Sequence, residues 1–346
     1  MRAFGQEFRA GPGYLNTASI GLPPAVAADA VADAVADWAT GRARPPVFDG
    51  AVETARAGFA ALTGVPAEWV ACGSTVSALV GQLAASVPDG ARVLVADGEF
   101  GSVTHPFAVQ GRGVVVTGAP LDRLADLAAA HDLVAASVVQ SADGRIADLD
   151  ALRAARDGGT RVLLDVTQAA GWLPLRLDWA DAVVGAGYKW LLCPRGAAWL
   201  ALHPSWESDP AWTPVPHAAG WYGNRDRWGD LYALDPPLAD GPPGLDTSPD
   251  WLSQVGAAVT LPWLACLDPE TVRAHCAGLA DALRERLGMA PAGSAIVAVD
   301  RPLAAERLTD AGLVVAARAG AARLSFHVAN TADDVDRAVR ALTGGT

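Results

Sequence analysis

The chain is 346 residues long, 51% hydrophobic and only 18% charged, so it can bury a large core and is not globally disordered. Thirty-eight acidic against 26 basic side chains give a net charge of −12, which argues against a nucleic-acid or anionic-membrane surface, because both need clustered Lys and Arg. No apolar run reaches about 18 residues without a charge or proline, so no membrane span is expected.

In chain order, Pro23 and Pro24 open a helical stretch to about Thr40, and a second helix over Ala51 to Leu62 ends at Gly64. Trp69 to Cys72 reads as a short strand that runs into Gly73-Ser74-Thr75 and an apolar helix, Val76 to Val87. Buried-type strands are predicted at Arg92 to Ala96, Gly113 to Thr117, Leu133 to Val139, Arg161 to Asp165, Ala182 to Val184 and Ala197 to Leu202. Helices are expected near Ser102 to Gln110, Leu121 to His131 and Leu149 to Arg156. Continuous apolar strands separated by helices predict a mostly parallel sheet covered on both faces. From His203 to Pro249 the chain is rich in Pro, Gly, Asp and Trp and has no clean period, as in a functional or interface segment. Beyond it come helices at Trp251 to Ala265 and Pro269 to Leu287, a strand at Ala295 to Val299 and a helix near Leu303 to Thr309. A strand through Arg323 to Ser325 and a closing helix, Ala332 to Leu342, complete the chain. This order predicts an N-terminal segment (1–22), a large α/β domain (23–249) and a smaller α+β domain (250–346), in keeping with about 150 residues per domain.

Of the 26 basic side chains, 25 are Arg, and Lys189 is the one Lys. Arg replaces Lys on most solvated surfaces but cannot lose its proton and attack a carbonyl as a free amine. Lys189 lies in Gly185-Ala186-Gly187-Tyr188-Lys189-Trp190, 24 residues beyond Asp165. Asp165 ends an apolar strand, where a carboxylate is costly without a partner; a solvated strand end or a helix N-cap is the bland alternative. Gly73-Ser74-Thr75 follows a strand and opens a helix, with free N–H groups and two hydroxyls suited to a phosphate, although Ser and Thr are also ordinary N-caps. Together these features ask for a ligand carrying a phosphate, a ring nitrogen and an aldehyde, and pyridoxal 5′-phosphate has all three.

At these residues the sequence resembles the class V aminotransferase family of fold-type I pyridoxal-phosphate enzymes, which includes cysteine desulfurases, kynureninases and C–S lyases. The resemblance covers nearly the whole chain: Tyr14 to Ser19, Gly73 to Thr75, Asp165 to Gly171, Tyr188 to Trp190, Pro194 to Gly196, Thr247 to Pro249, Arg323 to Ser325, and Asn330-Thr331. It implies a fold-type I α/β architecture and a set of roles. Lys189 resembles the Schiff-base lysine, and Asp165 the acid that keeps the pyridine nitrogen protonated. Gln168 would donate to the ring's phenolic oxygen. Ser74, Thr75 and Tyr188 would hold the phosphate. Phe100 occupies the place of the ring-stacking residue, often His in the desulfurases. Arg323 resembles the arginine that grips a substrate α-carboxylate. Ser248 would reach the phosphate of a neighbouring subunit, which implies a homodimer with shared active sites.

Some positions depart from the family. Leu313 to Ala322 contains no cysteine, which argues against a persulfide-forming desulfurase. Tyr188 ahead of the lysine is similar to kynureninases, but Ala18 stands where their N-terminal motif carries Asn, and Gln140-Ser141 where many relatives have Asn. The resemblance implies an enzyme acting on an amino acid by transamination or by elimination at Cβ; the alternative is a non-catalytic scaffold that keeps the fold. The six histidines show no metal spacing, and His327, just beyond the Arg323 strand, is kept as a second-tier substrate contact. Trp221 and Tyr222 line either the pocket or an interface, or simply pack. Cys72, Cys193, Cys266 and Cys276 show neither paired metal spacing nor disulfide density, and the N-terminus lacks the apolar stretch of a signal peptide, so a reduced, cytoplasmic setting is expected.

Overall fold

The computed structural model describes residues 1–235 and 237–344. Two short strands, β1 (Arg2–Ala3) and β2 (Gln6–Glu7), precede helices α1 (Ala25–Ala39) and α2 (Asp49–Thr63). Strands and helices then alternate: β3 (Val70–Gly73), α3 (Val76–Ser86), β4 (Arg92–Ala96), α4 (Gly101–Ala108), β5 (Val115–Ala119), α5 (Leu124–Ala128), β6 (Leu133–Ser137), α6 (Leu149–Asp157) and β7 (Arg161–Asp165). Next come β8 (Ala182–Ala186), β9 (Ala198–Leu202) and the short α7 (Pro204–Glu207). The remainder holds α8 (Trp251–Ala265), α9 (Pro269–Arg286), β10 (Ile296–Val299), α10 (Ala304–Asp310), β11 (Ala316–Arg318), β12 (Ala321–Ser325) and α11 (Ala332–Thr343).

Seven strands form the main sheet in the order β3-β9-β8-β7-β6-β4-β5. The pairs β4–β5, β4–β6, β6–β7 and β7–β8 are parallel, whereas β9 runs antiparallel to both β3 and β8. The mostly parallel sheet expected from the apolar strands is therefore present. The reversal at β9 follows from its connection: residues 187–197 contain no helix to carry the chain across the sheet, so it turns straight back. Side chains alternate between two buried layers, with Val162 and Leu164 on one face of β7 and Leu163 on the other.

The edge strand β3 is closed by a turn rather than by another strand. Asp246, fully buried, accepts a hydrogen bond from the Cys72 N–H at 2.7 Å, and the Thr247 N–H donates to the Cys72 carbonyl at 3.0 Å. Arg56 of α2 pairs with Asp246 at 2.6 Å and also donates to the Val70 carbonyl. This clamp fixes the backbone that leads into Ser74 and Thr75, and it shields an edge that would otherwise invite pairing.

The small lobe is the antiparallel sheet β10-β12-β11, whose core includes Leu283, Val297, Leu308, Leu324, Phe326 and Val335. Helix α8 does not belong to it. Ala257, Leu261 and Leu264 of α8 sit in the large core, and α8 packs on α1 and α2 so closely that a Cβ on Gly58 would lie 2.6 Å from the Leu261 Cβ. Along α9, Val272 and Cys276 join the large core, and Ala280 and Leu283 join that of the small sheet.

The N-terminal segment ties the lobes together. Leu15 N–H donates to the Val314 carbonyl, Ser325 N–H to the Leu15 carbonyl, and Gly21 N–H to the Tyr188 carbonyl. A side chain at Gly21 would collide with the Lys189 carbonyl oxygen, so only glycine allows this approach. Among the described residues no helix is long and apolar enough to cross a membrane, and all four cysteines are free thiols.

Breaking the edge clamp takes from Arg56 its buried carboxylate and leaves it the half-exposed Glu53 alone. Asp246→Ala should destabilise the fold by roughly 3–5 kcal/mol. Urea denaturation checks this, and a loss under about 1 kcal/mol would show the clamp to be dispensable.

Candidate active site

The loaded ends of the parallel strands converge on one cleft, as expected at the carboxyl edge of an α/β sheet. Its lining includes Ser74, Thr75, Phe100, Asp165, Gln168, Tyr188 and Lys189, so seven of the nine residues singled out in the sequence meet there. Ser77, Ser102, Ser137, Ser141, Thr167 and Arg195 complete its polar wall.

Ser74 and Thr75 stand where β3 passes into α3. Thr75 caps the helix by accepting from the Ala78 N–H at 3.2 Å, so the first-turn N–H groups of an 11-residue helix face the cleft beside three hydroxyls, those of Ser74, Thr75 and Ser77. Opposite them, Lys189 is 5% exposed, with its Nζ 5.2 Å from the ring centre of Phe100 and 5.6 Å from that of Tyr188. It has no carboxylate within 4 Å among the described residues. Desolvation, helped by the charges of Arg323, Arg318 and Arg195 and opposed by Asp165, lowers its pKa to about 8. Asp165 is buried and accepts from the Thr167 N–H at 2.7 Å. Burial, against the Thr167 hydrogen bonds and with the added repulsion of Glu99, pushes it up to about 6.

Arg323 lies outside the immediate lining but is bound to it. Its Nη1 donates to the Ser141 carbonyl at 2.6 Å and the Ser141 hydroxyl at 3.1 Å, and its Nη2 to the Ser19 hydroxyl at 2.7 Å. The residue is 2% exposed, and among the described residues its Nε has no partner and no carboxylate pairs with it. The other buried arginines, Arg56 and Arg284, pair with Asp246 and Asp281. A surface ion pair between Arg323 and Asp334 is excluded, because Asp334 is buried and accepts from Gly13, Asn330 and Thr331. Desolvation, with repulsion from Arg318, lowers the Arg323 pKa to about 10.

Two residues have partners that the sequence does not announce. Both amide donors of Gln168 are already engaged, with the Ala18 carbonyl at 3.1 Å and the Ser141 hydroxyl at 3.0 Å, and its oxygen accepts from the Trp190 indole at 2.7 Å. In this arrangement Gln168 has no N–H left for a ligand. His327 is buried and neutral, with a pKa lowered to about 4 chiefly by desolvation. Its Nδ1 accepts from the Val328 N–H, so Nε2 carries the proton and donates to the Trp190 carbonyl at 2.8 Å. His327 is therefore a support of the lysine loop rather than a substrate contact. Tyr222 and Trp221 pack against each other, with the Tyr222 hydroxyl on Asp49, and neither lines the cleft. Ser248 is exposed and does not line its own chain's cleft.

Sequence reading missed Glu99. Its carboxylate accepts from the Phe100 N–H, the Ser137 N–H and hydroxyl, and the Gln140 amide, at 2.6 to 3.0 Å, and so fixes the loop that holds Phe100 over Lys189. The signal was the same as for Asp165, an acid just past the end of an apolar strand.

No family model matches the chain. It is 30% identical over 170 residues to an isopenicillin N epimerase from Streptomyces clavuligerus, which takes in 43% of this chain and 37% of that protein. It is 41% identical over 92 residues to a kynureninase from Stenotrophomonas maltophilia, 25% of this chain and 21% of that protein. The chain thus matches less than two thirds of the length of either relative. Among solved structures, it superposes on a cysteine desulfurase from Thermococcus onnurineus with a TM-score of 0.80 and 18% identity, over 96% of this chain and 95% of that one. It superposes on the cystine C–S lyase C-DES with a TM-score of 0.81 and 19% identity, over 96% and 97%. A lysine-to-alanine variant of C-DES, with glycine covalently linked to its PLP cofactor, gives 0.82 and 18%, over 96% of each chain. The chain therefore has the fold-type I architecture of the class V aminotransferase-like enzymes, as its motifs imply.

Proposed function

We propose that this chain is a pyridoxal 5′-phosphate-dependent enzyme acting on an amino acid, by transamination or by elimination at Cβ. One observation carries the reading: the amine of the only lysine is buried between two aromatic rings without an anionic partner, next to a buried acid whose pKa is raised. The donor set fits the cofactor. Asp165 is a buried acid suited to a ring nitrogen, Phe100 offers a ring face, and the α3 N-terminus with Ser74, Thr75 and Arg195 offers hydrogen bonds and charge to a phosphate. Tyr188 lies on the same wall.

When bound, the cofactor supplies an aldehyde for the Lys189 amine and a ring that withdraws the electron pair left at Cα. Lys189 takes and returns the Cα proton, a task suited to an amine with a pKa near 8. Asp165 holds the proton on the ring nitrogen. Arg323 orients the substrate through its carboxylate, and the fit is supported by its orphaned Nε and lack of any resident anion. Ser248, exposed and not part of its own cleft's lining, would serve the cleft of a second copy, so a homodimer belongs to the proposal; light scattering should give twice the chain mass.

Purified protein given pyridoxal 5′-phosphate should turn yellow, and borohydride should fix one cofactor per chain on Lys189. Lys189→Arg should abolish both the attachment and turnover. Only the neutral amine attacks, and burial lowers the Lys189 pKa from 10.5 to about 8. The capture rate should therefore climb as pH rises and level off just above pH 8. A rate still climbing past pH 10 would mean that Lys189 is solvated. Assaying keto acid with and without an amino acceptor separates transamination from elimination.

Asp165→Asn should retain cofactor yet lose turnover by about two to four decades, which corresponds to the roughly 3–5 kcal/mol of a broken buried ion pair. Near-normal steady-state rates in that variant would make Asp165 a structural residue.

A further inference from the structure

Resting on that reading, the cleft has one cation more than its anions require. A phosphate would be matched by Arg195 and the α3 N-terminus, and one carboxylate by Arg323, which is bonded to the lining residue Ser141. Arg318 is left over. In the β11–β12 pairing Ala316 lies opposite Arg323, and Arg318 lies opposite Ala321. Opposed residues share a face, as do alternate residues along a strand, so Arg318 and Arg323 are diagonal neighbours on one face. Such positions are about 7–8 Å apart, within reach for long side chains.

The surroundings of Arg318 hold no anion for it. The guanidinium is exposed, donates to the Ala317 carbonyl at 2.7 Å, and has no carboxylate within 4 Å among the described residues. The acids of the cleft are spoken for: Glu99 by four hydrogen bonds, and Asp165 by Thr167 and the charge of Lys189. The remaining groups that act on Lys189 and Arg323 are Tyr188 and Arg195. Arg318 weakens the protonation of both Lys189 and Arg323, so its charge reaches the cleft. Two guanidinium groups on one face repel each other, and a ligand with an anion for each relieves that repulsion.

We propose that the substrate is an amino acid with an acidic side chain, whose α-carboxylate is held by Arg323 and whose distal carboxylate is held by Arg318. Diagonal placement on one face lets both long side chains reach the two ends of a short dicarboxylate. A cation on the exposed rim would also draw such a substrate to a protein whose net charge is −12.

The test is equilibrium binding of unreactive acids to the full chain, with and without pyridoxal 5′-phosphate, by calorimetry at fixed ionic strength. Succinate and glutarate are compared with butyrate and valerate. The dicarboxylates should bind at least tenfold more tightly than the monocarboxylates. Arg318→Gln, an exposed substitution, should erase that advantage while leaving monocarboxylate binding as it was. Equal binding of the two classes, or an advantage that survives Arg318→Gln, overturns the inference. If monocarboxylates bind and Arg323→Gln abolishes it, the carboxylate role of Arg323 stands even when the dicarboxylate shows no advantage. Binding of both classes that is indifferent to Arg323→Gln overturns the role of Arg323 and the inference together.

Discussion

A closed path of buried hydrogen bonds joins the two lobes through the residues around the lysine. Arg323 donates to Ser141, Gln168 donates to Ser141, the Trp190 indole donates to Gln168, and His327 donates to the Trp190 carbonyl. His327 then returns, four residues along the same segment, to Arg323. Lys189 is bonded to Trp190, so its backbone is held from the small lobe by His327 and from the large lobe by Gln168. In a low-dielectric interior such a network is rigid when fully paired and costly when a member is lost. The orphaned donor in it is the Arg323 Nε, which is where an anion would enter.

Burial also sets the chemistry of the cleft. One cause, loss of water, moves the two central groups in opposite directions: Asp165 up to about 6 and Lys189 down to about 8. An acid and an amine that would ordinarily titrate more than six units apart are brought to either side of neutrality. The arrangement depends on the aromatic walls, Phe100 and Tyr188, and on Glu99, which anchors the Phe100 loop. The surrounding arginines push Lys189 the same way as burial, and an anion that offsets their charge would raise it again.

Much of this site could be read from residues alone because its parts sit where strands end. Asp165, Lys189 and Gly73-Ser74-Thr75 are each announced by a run of apolar residues that stops at a polar one, and a parallel sheet brings such stops to one edge. The partners of Gln168 and His327 are not legible in the sequence. A side-chain amide or imidazole takes its role from the partners it meets, and those partners, Ala18, Ser141 and Trp190, are 150, 27 and 22 residues from Gln168 along the chain. Glu99 carries the same strand-end signal as Asp165, but its partners Ser137 and Gln140 lie 38 and 41 residues away and only the fold brings them to it.

The sequence by itself determined the alternation of strands and helices, the edge of the sheet where chemistry would gather, and the one amine able to carry it. These follow from apolar runs, turn residues and residue chemistry, all of which act over a few neighbours. Tertiary structure alone decided that β9 reverses, that α8 joins the large core, that His327 braces the lysine loop, and that Arg323 is buried without a carboxylate. Each of these depends on which distant groups share a desolvated space, and the free energy of a buried charge or hydrogen bond is set by those partners rather than by the residue's neighbours in the chain.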